Sequence, residues 1–542
     1  MHFFAAQPAG RRMPHPRVPE LLTFPTADKG GHIVTATQTA ESGSIGQDHE
    51  SPSPRRVEET SQADVEQLLR GAAAGLPQLL SERSREDVLA AVGAATAASI
   101  EHTGRGLDLT GADLTNADLS GFDLRRAVLT RARLDSAVLV GADLTSAVMV
   151  CPLMERTTLR DAVLTDVYAH AQAAVSSDWT GVRMPGALDT TGALFHGVTL
   201  VGADLSGGNY AGATFYQCDL TGADLRGCDL TGATFNECGL RGADLGRSSL
   251  SCATITRSHA DDAVFDGAVG SGLALQVMTG MARVSFDGAQ LSELRIRSAS
   301  WRDGSALDAA LAGLQLVDVT MFACDFTGSD LTEATWRSVT GNGNVLRRVQ
   351  LAGGTWTRCR LPVTDLSGAS MENARLLECD VSDSRFTNLD DERGHASFTG
   401  RGLTARDCHL ARADFTDAYL YRASFTGDPV IGMRMDDAKF TGANLIQAYV
   451  AAALPGADLR CVHAAYSRFN QSDLTGADLT GAGLYQSSFV KVVLTDANLT
   501  AVSAPLFLDR CKGVMDAVMD EDLRRWVGIL AGALGTRRSG ST

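Results

Sequence analysis

An apolar residue returns at every fifth position along most of this chain. From Leu109 it recurs as Leu114, Leu119, Leu124, Leu129, Leu134, Leu139, Leu144, Met149, Met154, Leu159 and Leu164. Two places before most of these sits a small residue, as at Ala112, Ala117, Ala127, Ala132, Ala137, Ala142 and Ala147. The unit reads A-D-L-T-G. It resumes from Leu200 to Leu250 through Leu205, Tyr210, Phe215, Leu220, Leu225, Leu230, Phe235, Leu240 and Leu245. Further runs extend from Phe286 to Phe386, from Leu410 to Val450 and from Leu459 to Leu499. A period of five fits neither the helix at 3.6 nor the strand at 2. It fits a chain that turns one corner every five residues, with the small and the large apolar side chain of each unit inside. Four corners close a square coil of about twenty residues, and such coils stack at the ~4.8 Å spacing of hydrogen-bonded strands. The expected fold is an all-β solenoid of about twenty coils, roughly 75 to 95 Å long at that spacing.

Shifts in the phase of the large apolar residue mark irregular loops, expected near 185–191, 279–284, 387–409 and 451–457. The largest holds Asn388-Leu389-Asp390-Asp391-Glu392-Arg393-Gly394-His395, which offers no inward apolar positions and should protrude. Coil ends expose unpaired backbone and need covers. Residues 1–58 are Pro-, Ser- and charge-rich without periodicity, and read as a disordered tail. Residues 59–104 read as a helical N-terminal cap. Ser61-Gln62-Ala63-Asp64 opens one helix (Val65, Leu68, Leu69), and Ser84-Arg85-Glu86-Asp87 opens a second (Val88, Leu89, Val92). The coils should fill 105–504. In 505–542 a C-terminal helix starts at Asp520 to Asp522 and carries Leu523, Trp526, Val527, Leu530 and Leu534 on one face.

The A-D/N-L-x-x units, with Ala or Cys two places before Leu or Phe, resemble the pentapeptide-repeat family over about 400 of the 542 residues, from about Gly106 to Ala504. The resemblance implies a right-handed quadrilateral β-helix. It also implies that the C-terminal helix either joins two copies end to end, with Leu523, Trp526, Val527, Leu530 and Leu534 as candidate dimerisation residues, or covers its own last coil. Family members of known role are similar to double-stranded DNA in width, length and negative surface. They bind DNA gyrase or topoisomerase IV and protect them from quinolones and other poisons. By that resemblance the chain is an acidic, DNA-mimicking, non-enzymatic binding protein of antibiotic-resistance or self-resistance type, its partner a type II topoisomerase or another protein with a basic groove. The alternative is a structural or adaptor scaffold for another protein.

Charge both supports and limits mimicry. Forty-eight Lys and Arg stand against 64 Asp and Glu, a net charge of -16, which argues against direct nucleic-acid or anionic-membrane binding. The coil region 105–504 holds 33 basic and 46 acidic residues, a surplus of thirteen negatives. DNA carries one charge per ~1.7 Å, on the order of fifty over the same length. Mimicry is therefore confined to selected faces. Asp204, Asp224 and Asp244, twenty apart, should form an acidic ladder, at about 0.9 kcal/mol of repulsion per stacked pair in water. Together with Asp390, Asp391, Glu392 and Arg393 they are the candidate partner-binding residues.

Other chemistry is not apparent. Phosphate-binding, metalloprotease and nucleophile-elbow motifs are absent, the eleven His are scattered, and no cofactor or metal is expected. Seven of the eleven Cys (Cys218, Cys228, Cys238, Cys324, Cys359, Cys379, Cys408) occupy the small inward position and read as packing residues that stay reduced. Trp336 and Trp356, twenty apart at the large position, should swell that face or force one indole outward. With no apolar run long enough to span a bilayer and no signal-peptide core, the expected location is cytoplasmic.

Overall fold

A computed structural model describes residues 85–503 and 507–528, apart from 171, 188 and 428–431. The tail expected over 1–58 and the first helix at Ser61 lie outside the described residues.

The chain winds as a right-handed β-helix with four faces per coil. Parallel ladders join each residue to the one about twenty positions on. One ladder climbs from Asp113 through Arg133, Leu153 and Ala173 to Leu194, Thr214, Thr234, Thr254 and Ala274. It continues through Arg295, Gln315, Thr335, Thr355, Arg375, Thr404, Ser424, Tyr449, Arg468 and Ser488 to Phe507, twenty rungs in all. Each corner is a tight turn. The Ala112 N–H donates to the Leu109 carbonyl at 3.0 Å, and Gly111 supplies the left-handed residue (φ +65°) that such a turn requires two places after each Leu.

The inward positions are the expected ones. Leu114 and Phe235 are wholly buried, as are Ala112 and Ala223 two places before a Leu. Large residues stack on their own kind. Phe195, Phe215 and Phe235 form a column with ring centroids 4.8 and 4.7 Å apart and planes within 4°. Trp336 and Trp356 also lie face to face, 4.5 Å apart and 4° from parallel, both fully buried. Of the two expected outcomes, an outward indole does not occur: the ~4.8 Å coil spacing is wider than an aromatic ring is thick, so both indoles stack inside.

Helix α1 (Arg85–Thr103) covers the first coil. Val92, Ala95, Thr96 and Ser99 are buried beneath it. The Thr96 hydroxyl donates to the Asp123 carbonyl at 2.6 Å and the Ser99 hydroxyl to the Gly106 carbonyl at 3.1 Å, so acceptors at the open end are satisfied. At the other end the coils run past Ala504: Phe507–Asp509 pairs with Ser488–Val490, and Val518 bridges to Asn498. Asp520 then accepts the Leu523 N–H at 2.9 Å and opens helix α2 (described over 521–528).

Ladder offsets locate the irregularities. One residue is added before Leu194 and one before Gly280, one is lost before Ala453, and nine are added between Arg375 and Thr404. A further excursion went unforeseen. Ser424 pairs with Tyr449 and His409 with Arg434, each twenty-five positions on, so five residues are added between Thr426 and Met433. An insertion of five leaves the phase of a five-residue repeat unchanged.

Candidate partner-binding surfaces

The Asp before each Leu points outward, as expected, but it also builds the turn. Asp219 Oδ1 accepts the backbone N–H of Thr221 at 3.0 Å and its hydroxyl at 2.6 Å. The same arrangement recurs at Asp143 with Thr145, Asp325 with Thr327 and Asp473 with Thr475. The D-L-T triplet is thus an Asx turn in which the carboxylate closes on its own backbone. Much of the acidic surface is structural for this reason.

Asp204, Asp224 and Asp244 do form one ladder, next to Arg183 below and Val264 above. It is not bare. Arg226 holds Asp224 at 2.5 Å and reaches Asp244 at 3.7 Å. The Arg226 guanidinium keeps the Asp224 carboxyl below the usual carboxylate range. The clamp repeats on the same ladder, where Arg125 bridges Asp123 and Asp143 at 2.8 and 3.9 Å, and Arg460 bridges Asp458 and Asp478 at 2.7 and 4.0 Å. Each Arg follows its Asp by two places. The D-L-R triplet therefore signals in sequence that two stacked carboxylates share one cation.

The segment after Phe386 leaves the coil as a hairpin, Leu389–Asp391 antiparallel to Gly394–Ala396 across the turn Glu392-Arg393. It protrudes from the coil, as its lack of inward apolar positions predicts, and residues 390–395 are exposed, but it does not stand free. It lies along one corner, formed on successive coils by Asp308, Gly328, Arg348 and Gly368. Arg348 forks onto Asp391 and the Gly394 carbonyl, and Arg393 reaches Asp308 at 2.7 Å. Gly368 leaves room beneath: a Cβ there would lie 2.9 Å from the Ala396 Cβ and 3.2 Å from the Leu389 Cβ. Asp390 pairs with His395 at 2.7 Å across the hairpin, and Glu392 is exposed at the turn. Of the four candidate residues here, Asp391 and Arg393 are held by the solenoid itself.

On α2, Leu523 and Val527 are buried against the chain's own last coil and Trp526 is half-buried beside them. Leu530 and Leu534 lie outside the described residues.

The Cys residues named above are buried and free. Their thiols donate to carbonyls of the preceding coil, Cys228 to Leu205 at 3.1 Å and Cys218 to Phe195 at 3.3 Å. Thr157 and Ser177 make the same contact to Leu134 and Met154, so the small inward position admits a polar side chain whose proton reaches back one coil. Burial pushes the Cys228 and Cys324 thiols up to about 12. Among the described residues no cluster of His, Cys, Asp and Glu is arranged to hold a metal ion, and no helix is long and apolar enough to cross a membrane.

Comparison with known proteins points the same way as the coil geometry. The pentapeptide-repeat family matches in eight copies, over residues 108–148, 211–247 and 457–496. No curated protein sequence matches the chain. Similar solved structures include HetL, a pentapeptide repeat protein involved in heterocyst differentiation regulation from Nostoc sp. strain PCC 7120, at 21% identity over 42% of this chain and 91% of that one, TM-score 0.20. QnrB1, a plasmid-mediated fluoroquinolone resistance protein, is 18% identical over 44% of this chain and 92% of that one, TM-score 0.17. The A-module of the mannuronan C-5 epimerase AlgE6 of Azotobacter vinelandii is 11% identical over 80% of this chain and 95% of that one, TM-score 0.15.

Proposed function

We propose that this β-solenoid, packed with its own side chains and matching the pentapeptide-repeat family over residues 108–148, 211–247 and 457–496, acts without catalysis, as a scaffold whose outward residues bind another protein. One observation carries the reading: the inward positions are filled by Ala, Cys, Leu, Phe, Met and Trp from the coils themselves, which leaves recognition to the outer faces. The test is a pull-down with the purified full chain, quantified by mass spectrometry. One protein should be enriched well above control beads and should be lost on outward substitutions. Absence of any specifically enriched protein at micromolar bait would refute the reading.

The Asp204–Asp224–Asp244 ladder favours a second, finer reading: partial mimicry of DNA toward gyrase or topoisomerase IV, with protection from topoisomerase poisons. Its charge density is modest. Two coil spacings cover ~10 Å, over which DNA presents about six charges. The ladder presents three carboxylates and shares Arg226 between two of them. A supercoiling assay with and without a fluoroquinolone decides: rescue that falls at least fivefold in Asp204→Asn/Asp244→Asn would support mimicry, and neither rescue nor inhibition at micromolar protein would remove it.

A further inference from the structure

The last coils are electrically two-sided. Five successive stretches, 399–406, 418–427, 443–452, 462–472 and 482–491, contain no Asp or Glu, although the chain's net charge is -16. The ladders assemble these stretches into two adjoining faces, Thr399–Tyr419–Asn444–His463–Gly483 and Thr404–Ser424–Tyr449–Arg468–Ser488. The corner between them is stacked through Gly402 N–H to Tyr421 carbonyl, Arg422 to Ile446, Gln447 to Ala465 and Tyr466 to Tyr485, at 2.9 to 3.1 Å. The other two faces of the same coils carry the acids, among them Asp414, Asp436, Asp458, Asp473 and Asp478.

The acid-free corner is rich in tyrosine. Tyr419, Tyr449, Tyr466 and Tyr485 are 40%, 39%, 51% and 45% exposed. Around them stand Arg401, Arg422, Arg468 and Lys491, none with a carboxylate partner among the described residues; Arg422 instead donates to Gln447 at 2.8 Å. Ser424, Asn444, Gln447, Asn470, Gln486 and Ser488 fill the remaining surface. Tyrosine and arginine with short polar residues, and acidic residues missing, is the composition of protein-recognition surfaces, where rigid amphipathic rings give contact area at little entropic cost.

We propose that this corner, from Tyr419 to Tyr485, is the docking surface for an acidic polypeptide segment of a partner protein. The proposal rests on the scaffold reading above and names the partner class. Charge complementarity selects an acidic occupant. Ring geometry selects polypeptide over single-stranded nucleic acid, which needs open ring faces for base stacking. Here one face of several rings is already taken: Tyr419 packs on Tyr421 at 6.2 Å, the edge of one ring of the Tyr466–Tyr485 pair meets the face of the other at 5.8 Å, and Arg422 covers Tyr421 at 5.0 Å. The Tyr421 hydroxyl donates to Gln447 and the Tyr485 hydroxyl accepts from Gln486 but keeps its own proton, so the outer ring edges and the other hydroxyls meet carboxylates and backbone amides.

The test uses the full chain with a fluorescein-labelled twenty-residue peptide of alternating Glu-Glu-Gly-Tyr units, read by fluorescence anisotropy at low and at physiological salt. Wild type should bind, and Tyr466→Ser/Tyr485→Ser and Arg422→Glu/Arg468→Glu should each weaken binding at least tenfold, with unchanged circular dichroism. Asp458→Asn on an acidic face should leave it within twofold. Absence of binding, or equal binding by the corner variants, would overturn the proposal. So would tighter binding of a twenty-residue oligothymidylate, which would mark a nucleic-acid face, or wild-type self-association in sedimentation that the corner variants abolish, which would mark a second copy as the occupant. If the pull-down partner is retained by the corner variants, this surface is wrong while the scaffold reading stands; if no partner is enriched at all, the scaffold reading fails.

Discussion

Truncating Phe215 to Ala tests whether the interior is a column of independent contacts. Phe215 is wholly buried between Phe195 and Phe235, with near-parallel rings 4.8 and 4.7 Å away. Removing a buried Phe costs about 3 to 5 kcal/mol in transfer and cavity terms. Here the upper part of that range is expected, since two ring contacts of about 0.5 to 1.5 kcal/mol each vanish together. Coils touch only their neighbours, so the loss should be local. Hydrogen exchange read by mass spectrometry should show opening of the 194–236 coils accelerated by roughly a thousandfold, at 1.4 kcal/mol per factor of ten. Exchange around the distant Phe469–Phe489 pair, with centroids 5.0 Å apart, should be unchanged. Phe215→Leu, a residue the repeat already uses at this position, should lose less than half as much. A loss under about 1 kcal/mol would refute the packing argument against the expected 3 to 5. An equal loss of protection along all coils would refute locality.

Two further outcomes follow from the turns and the hairpin. Burial acts to raise the Asp365 carboxyl, but hydrogen bonds from Ser367 and from Arg347 at 2.8 Å outweigh it and hold it below the ordinary 3.8. A depressed folded-state value gives stability that is fully present above that ordinary value and is lost as pH falls through the lower folded one. Urea midpoints should therefore be flat above about pH 5 and fall below about pH 4; Arg347→Gln should shrink that acid limb, and an unchanged limb would clear Arg347 of the role. Gly368→Val should lift the hairpin from its corner, since its Cβ meets Ala396 and Leu389, and limited proteolysis should then cut near Arg393 at least tenfold faster with the coils intact. An unchanged cleavage rate would show that Gly368 is not the seat of the hairpin.

How far the sequence could be read depends on the range of the interactions involved. The five-residue period, the inward Leu114 and Phe235, and the displaced phases near Gly280 and Pro455 all follow from local geometry that repeats with the chain. The five residues added between Thr426 and Met433 leave no mark in the sequence pattern, because five extra residues restore the phase. The Arg226 clamp was legible in principle, because D-L-R places the cation two residues from one carboxylate and one coil from the next.

The sequence by itself determined the coil, because each unit carries its own corner and its own buried pair within five residues, and its own Asx turn where Asp or Asn precedes the large apolar residue. Only the tertiary structure decided what the outside presents. Asp308, Gly328, Arg348 and Gly368 become one corner that receives a hairpin from residue 389 onward, and Tyr419, Tyr449, Tyr466 and Tyr485 become one acid-free edge. Those surfaces are made by residues on different coils, and which of them adjoin depends on every insertion in between.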